Sequence, residues 1–173
     1  MTYPIWIAAS AATLVLAGPS SPVVQSLRPD NKIVEQKDAP IQVTLFRTDY
    51  QKRTNDSPEG IRHEIEYRNR SGKKIVAVQF GLVSFDLWNE FLARTAGLST
   101  EELTAKGRDK GAWLTPTDSS FAFHTAVIYV ERVRFESGEI WNEDRELVLT
   151  AMRAIQKDFD PANLTPKKPS FEF

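Results

Sequence analysis

Residues 61–88, IRHEIEYRNRSGKKIVAVQFGLVSFDLW, carry the strongest structural signal in the chain. In the first third, Ile61, His63, Ile65 and Tyr67 alternate with Arg62, Glu64, Glu66 and Arg68. Successive side chains on a strand point to opposite faces, so this is a strand with one face buried and one in water. Asn69-Arg70-Ser71-Gly72-Lys73 then reads as a tight polar turn, with Gly72 available for a positive φ and Asn69 and Ser71 for local backbone hydrogen bonds. Beyond it Ile75, Val76, Ala77, Val78, Phe80, Leu82 and Val83 are apolar on both faces, as in a strand covered from both sides. The stretch therefore predicts a hairpin. Gly81 stands where the apolar phase shifts from Val76, Val78 and Phe80 to Val83, Phe85 and Leu87, which predicts a bulge.

On the N-terminal side, residues 41–48 (IQVTLFRT) alternate again and predict a strand, and 49–60 form a polar loop. On the C-terminal side, residues 93–111 look irregular, with Ser99-Thr100-Glu101-Glu102 as a capping box opening a short helix that ends near Gly107. Ala112-Trp113-Leu114 predicts a short strand. A long one follows over 121–135, buried on both faces at Val127–Val130, and Ser137-Gly138 turns the chain back through Ile140 and Trp141 in a two-residue hairpin. Over 143–159 the period changes. Val148, Met152, Ile155 and Phe159 recur at helical spacing, Leu147, Ala151 and Ala154 widen the stripe, and Asn142 is placed to cap it. Strands without a βαβ rhythm, closed by one amphipathic helix, predict an all-β antiparallel β-sandwich with the helix packed on it.

The ends differ in composition. Ile5–Ala17 is an uncharged apolar run of 13 residues, too short for a span of about 20 and suited to a secretory signal cut before Gly18. This predicts an exported protein, periplasmic or extracellular, with no membrane span after cleavage. Prolines at 19, 22, 29 and 40 predict a linker over 18–40, and 160–173 reads as a flexible tail. The terminal Phe171-Glu172-Phe173 suits an outer-membrane barrel, but the helix and the polar insert occupy the length a barrel needs. The domain proper then spans 41–142, with the helix 143–159 packed on it.

Glu64-Ile-Glu-Tyr-Arg-Asn69, Ser-Gly-Lys-Lys-Ile75 and Phe80-Gly-Leu-Val-Ser-Phe-Asp86 resemble the FxLYD-type domains of bacterial envelope proteins. In that pattern a strand ends in Asn, a Ser-Gly-Lys-like turn follows, and the next strand ends in an aromatic-Asp pair. Ile128–Trp141 resembles the closing hairpin of related sandwiches. Ser84 departs from the pattern, standing where a large apolar residue precedes the aromatic, and the helix lies outside it. The resemblance covers about residues 41–142. It implies an immunoglobulin-like, exported domain, mostly without known activity in that family.

The chemistry-bearing residues are few. With 22 basic and 23 acidic side chains the net charge is −1, so nothing draws the chain to nucleic acid or anionic lipid. The absence of cysteine removes disulfides, thiolate zinc sites and thiol nucleophiles. His63 and His124 lack the close spacing of a metal motif and read as structural histidines. There is no GxSxG elbow, and the carboxylate pairs Glu64/Glu66, Glu101/Glu102 and Glu143/Asp144 read as a solvated strand face and helix starts. No cofactor or metal is implied. The cluster to inspect is Asp86-Leu-Trp88-Asn89-Glu90, where a tryptophan flanked by oxygen-bearing side chains suits contact with a partner or a sugar. The spacing does not match a calcium loop. Asp86, Trp88, Asn89 and Trp113 are thus the candidate contact residues, with core packing as the bland alternative for the tryptophans. The resulting expectation is a non-catalytic envelope module that binds another envelope protein. The alternatives are a hydrolase built from loop carboxylates and histidines, and a glycan-binding module.

Overall fold

The computed structural model describes residues 28–55, 58–116 and 123–165. The predicted signal segment 1–17, the first part of the linker and the last part of the tail, including Phe171-Glu172-Phe173, lie outside the described residues. Among the described residues eight strands are formed: β1 (Asp30–Val34), β2 (Ile41–Gln51), β3 (Gly60–Asn69), β4 (Ile75–Asp86), β5 (Phe91–Ser99), β6 (Arg108–Pro116), β7 (Phe123–Phe135) and β8 (Ile140–Asn142). The helix α1 (Arg145–Arg153) follows, then a 3-10 turn at Pro161–Leu164. One sheet runs β1-β7-β4-β5, with β8 also on β7, and the other runs β2-β3-β6. The protein is an all-β sandwich with one helix.

Two apolar clusters make it three layers thick. Between the sheets, Ile41, Val43, Phe46, Ile65 and Tyr67 meet Ile75, Val78, Phe80, Leu82, Ile128 and Val130. On the other face of the first sheet, Val83, Phe85, Val127 and Tyr129 pack under Val148, Leu149, Met152, Phe159 and Leu164. Each fully buried large apolar side chain contributes roughly 1.5–3 kcal/mol. This explains the two apolar faces of β4 and β7: one looks at the second sheet, the other at the helix. The outer face of β3 keeps its charges in water while Ile61, His63, Ile65 and Tyr67 turn inward, as the alternation predicts. Among the described residues no helix is long and apolar enough to cross a membrane.

The structure corrects several expectations. β3 and β4 do not form a hairpin: β3 pairs with β2 and β6, while β4 pairs with β5 and β7. Asn69 makes the turn a corner between sheets. Its buried amide accepts from Ser71 N at 2.9 Å and donates to Lys73 O at 2.8 Å and Thr104 O at 3.0 Å. Gly72 is not used for a positive φ; among the described glycines that backbone occurs at Gly138. No helix opens at Ser99. Leu103 is needed in the core, where it bridges to Ile75 through two 2.9 Å backbone bonds, and Lys106 takes φ 64° in the turn that leads into β6. The segment has a single apolar anchor and no helical stripe.

The linker contains a strand, because Pro29 and Pro40 flank β1 rather than interrupt it, and β1 runs parallel to β7. Asp144, not Asn142, caps α1, accepting from Leu147 N at 3.1 Å. The helix stops at Arg153, and the chain continues in turns that still bury Phe159. The tail begins later than predicted, since Asp160 caps the 3-10 turn and Leu164 is buried. The loop from β7 to β8 has three residues, Glu136 to Gly138, closed by Phe135 N to Glu139 O at 2.9 Å, with Gly138 at φ 87°.

Gly81 marks a close approach rather than a bulge. The bulge lies across the ladder, where Glu131 is the extra residue of β7 between Val130, opposite Phe80, and Arg132, opposite Gln79. A Cβ on Gly81 would stand 2.1 Å from Tyr129 Cζ. Gly81→Ala is therefore expected to destabilise the fold by about 1–3 kcal/mol through overpacking. Urea unfolding of Gly81→Ala, Tyr129→Leu and the double variant should show coupling, because the smaller side chain makes room for the methyl. Simple additivity would disprove this account of the glycine.

Candidate functional site

Of the candidate residues, Asp86 ends β4, and Trp88 and Asn89 sit in the loop joining β4 to β5. Asp86 N donates to Glu90 O at 2.9 Å and Asn89 N to Asp86 O at 3.1 Å, closing a three-residue loop. Asn89 holds φ 65°, a conformation its short polar side chain tolerates. The Asp86 carboxylate is a structural part of the turn: Oδ1 accepts from Trp88 N and Glu90 N, both at 2.8 Å. Asp86 Oδ1 and the Asn89 backbone thus both serve the geometry of the turn.

Trp88 is different. It is 74% exposed at the tip, with Leu87 exposed beside it. The loop that carries it is braced from below. Phe91 N donates to Gln156 Oε1 at 3.1 Å, and the Phe91 ring meets Phe159 edge-on at 5.7 Å. Phe159 also packs on Phe85 at 5.8 Å. A large amphipathic ring thus stands in water on a fixed support, the usual chemistry of an interface anchor.

Trp113 does not join it. On β6 it lies across two glycines, with its ring 2.7 Å from a Cβ built on Gly97 and 2.4 Å from one on Gly111, and 5.7 Å from the Phe80 ring. Phe80, beside Trp113, and Phe85, below the tip, are five steps apart on β4, about 17 Å at roughly 3.4 Å per residue. Trp113 packs against the inter-sheet cluster. Gly111, two residues before it on the same strand, was the readable signal; Gly97 reaches the ring from β5 in the other sheet.

The histidines are separately placed. His63 is buried, bonded through Nε2 to Thr115 Oγ1 at 3.0 Å, and stacked on Phe46 with centroids 6.2 Å apart. Burial holds it down at about 4. His124 is half-buried at the start of β7, its Nδ1 3.1 Å from Thr125 Oγ1. Among the described residues no group of three or more His, Asp or Glu side chains is arranged to hold a metal ion. Of the carboxylate pairs, Glu64 bonds Arg62 at 2.8 Å, Glu102 bonds Lys74 at 2.8 Å, and Asp144 caps the helix.

Sequence reasoning missed a charged cluster on the helix side of the first sheet. Arg94 Nη2 meets Glu131 Oε2 at 2.7 Å, with side chains 5% and 9% exposed. Gln79 Nε2 also donates to that oxygen, at 3.0 Å. The Tyr129 hydroxyl lies by Arg94; burial raises it to about 12 although the guanidinium works the other way. Glu143 is raised by burial and then by the nearby Glu131 charge, with Arg145 and Arg94 opposing. Burial by itself disfavours the Arg94 charge, but Tyr129 and Glu131 more than offset it and move Arg94 upward. The signal was Glu131 itself, an acid inside the apolar run Ile128-Tyr-Val-Glu-Arg-Val133. Side chains this enclosed do not meet a substrate. They fix the bulged residue of β7 against β4 and β5.

Neither a protein-family model nor a curated protein matches this sequence. Among solved structures, the chain is similar to a hypothetical protein of Peptoclostridium difficile 630, with 10% identity, a TM-score of 0.50, and 69% of this chain and 93% of that one covered. A structural-genomics target is also similar, at 15% identity and a TM-score of 0.41 over 61% of this chain and 81% of that one. At 10% identity the first of these likenesses is one of fold alone.

Proposed function

We propose that this protein is a non-catalytic β-sandwich module of the bacterial cell envelope that binds another envelope protein through the β4–β5 tip. The observation that carries the reading is the exposure of Trp88, with Leu87 beside it, on a loop braced by Phe91 and Gln156. A rigid aromatic anchor loses little conformational freedom on binding, which favours contact over a flexible apolar tip. The apolar run Ile5–Ala17 supports the envelope as the address. The hydrolase alternative requires histidines and acids in one cleft, and His63 bonds a threonine inside the sandwich instead. The glycan alternative draws on Trp88 or Trp113; Trp113 packs on Gly97, Gly111 and Phe80, which leaves it the exposed Trp88 alone.

The test is affinity capture from cross-linked envelope extract, with the parent chain and Trp88→Ala run side by side. The variant is expected to keep its stability within about 0.5 kcal/mol, as exposed substitutions do, and to lose a protein the parent recovers. Equal recovery by a folded Trp88→Ala would remove the tip from the interface.

A further inference from the structure

The outer edge of β7 is covered in an unusual way. β8 pairs with it over Arg132–Arg134 only, because the chain leaves at Asn142 for the cap of α1. The rest of that edge is completed from elsewhere. Glu143 N donates to Glu131 O at 2.9 Å, and the buried Gln36 side chain donates to Val130 O at 2.7 Å. Below Val130, β1 runs parallel from Asp30, opposite Thr125, to Val34, opposite Tyr129. The early strand fills a slot that a longer β8 would have occupied.

The slot needs filling and the filler is loosely invested. Thr125 to Tyr129 are all buried, so an open edge there would leave backbone donors and acceptors unpaired beside two apolar clusters. β1, by contrast, exposes Asp30, Lys32 and Ile33. Its side chains add one bond to another strand, Thr48 Oγ1 to Asn31 Oδ1 at 2.6 Å, a local bond from Asn31 Nδ2 to Pro29 O, a short-range Lys32–Asp30 ion pair, and partial packing of Val34. What holds the strand is therefore mainly its backbone ladder. No hairpin ties it to β7, since Asp30 and Thr125 are 95 positions apart along the chain.

The crossover after β1 is pinned independently of it. The Arg70 guanidinium donates to the carbonyls of Gln36, Lys37 and Ala39, and Gln36 Oε1 accepts from Asp144 N at 2.7 Å. With 36–39 clamped to the body, Glu35 is the single residue between the clamp and β1.

We propose that the Thr125–Tyr129 edge of β7 is a strand-accepting site whose occupant is exchangeable, and that the exchange partner is β1 of a second copy of this chain. A second copy brings the same five residues in the same register, so every rung of the ladder is restored and the product is a closed two-fold dimer. Releasing the clamp lengthens this one-residue link into a hinge and favours exchange.

The test uses the absence of native cysteine. Asn31 and Ala126 are Cα partners that both face the space between the sheets. Adjacent strands place such partners about 5 Å apart, within disulfide reach. The full chain carrying Asn31→Cys and Ala126→Cys is unfolded under reducing conditions, refolded at high and at low concentration, oxidised, and separated by size with light-scattering detection. Exchange predicts a dimer that grows with refolding concentration and remains covalent on a non-reducing gel. It also predicts that material oxidised as monomer before unfolding returns only monomer. Arg70→Ala in the same background is expected to raise the dimer fraction several-fold. Two results overturn the proposal: monomer at every concentration, or a dimer whose disulfides are all within single chains. If Arg70→Ala does not fold, the parental pair decides the matter alone.

Discussion

Arg94→Met is expected to cost about 3–5 kcal/mol, the penalty for leaving one member of a buried ion pair without its partner. Arg94 and Glu131 are almost completely enclosed, and Gln79 is the other side chain that bonds the same Glu131 oxygen. Removing the guanidinium leaves a buried carboxylate facing a second acid, Glu143, which burial and Glu131 already raise. Glu131 is then an uncompensated buried charge, or draws water into the sheet. The double variant Arg94→Met/Glu131→Gln should recover most of the loss, since a neutral amide at that position needs no counter-charge. Urea unfolding of the parent, Arg94→Met and the double variant measures this. A loss below about 1 kcal/mol, the size of an exposed pair, would mean that the enclosed geometry does not hold in solution.

The second large effect belongs to His63. Its folded value is about 4 against an ordinary 6.5, and burial is the cause, with Nδ1 enclosed and unpartnered. The unfolded chain therefore takes up a proton first as pH falls. Stability contributed by the neutral ring is complete above about pH 6.5 and is lost between there and about pH 4, by roughly 3 kcal/mol in total. Glu143 acts in the opposite sense, since its raised folded value relieves a penalty on acidification. The comparison of parent with His63→Gln isolates the histidine: the parent's stability should fall more steeply with acid than the variant's. Parallel curves would mean that the ring is hydrated or charged in the native state. Such a profile would mark a protein less stable in acid without assigning it a pH-sensing role.

Much of the architecture was legible because strand and helix periods are local. The alternation in β3, the doubly apolar runs of β4 and β7 and the helical stripe after Asn142 each reported which side chains would be buried. Where a short-range signal had a long-range competitor, the competitor won. Ser99-Thr100-Glu101-Glu102 has the form of a helix start, but Leu103 is held by Ile75 from another part of the chain. The candidate site was half legible. Asp86-Leu-Trp88-Asn89-Glu90 was located, while Arg94–Glu131 was not, since its partners lie 37 residues apart and meet only because β5 and β7 flank β4.

That this is an all-β sandwich with one amphipathic helix, and which faces of its long strands are buried, could be read from the order of the residues. Alternation and helical spacing are properties of single segments, and burial follows from them directly. It took the folded chain to show that β3 and β4 belong to different sheets, that β1 fills the β7 edge in parallel, and that Trp88 is exposed while Trp113 is packed. Those outcomes depend on which segments become neighbours. A strand's pattern states that it needs cover, and only the competition among all strands for the same edges and faces settles what supplies it.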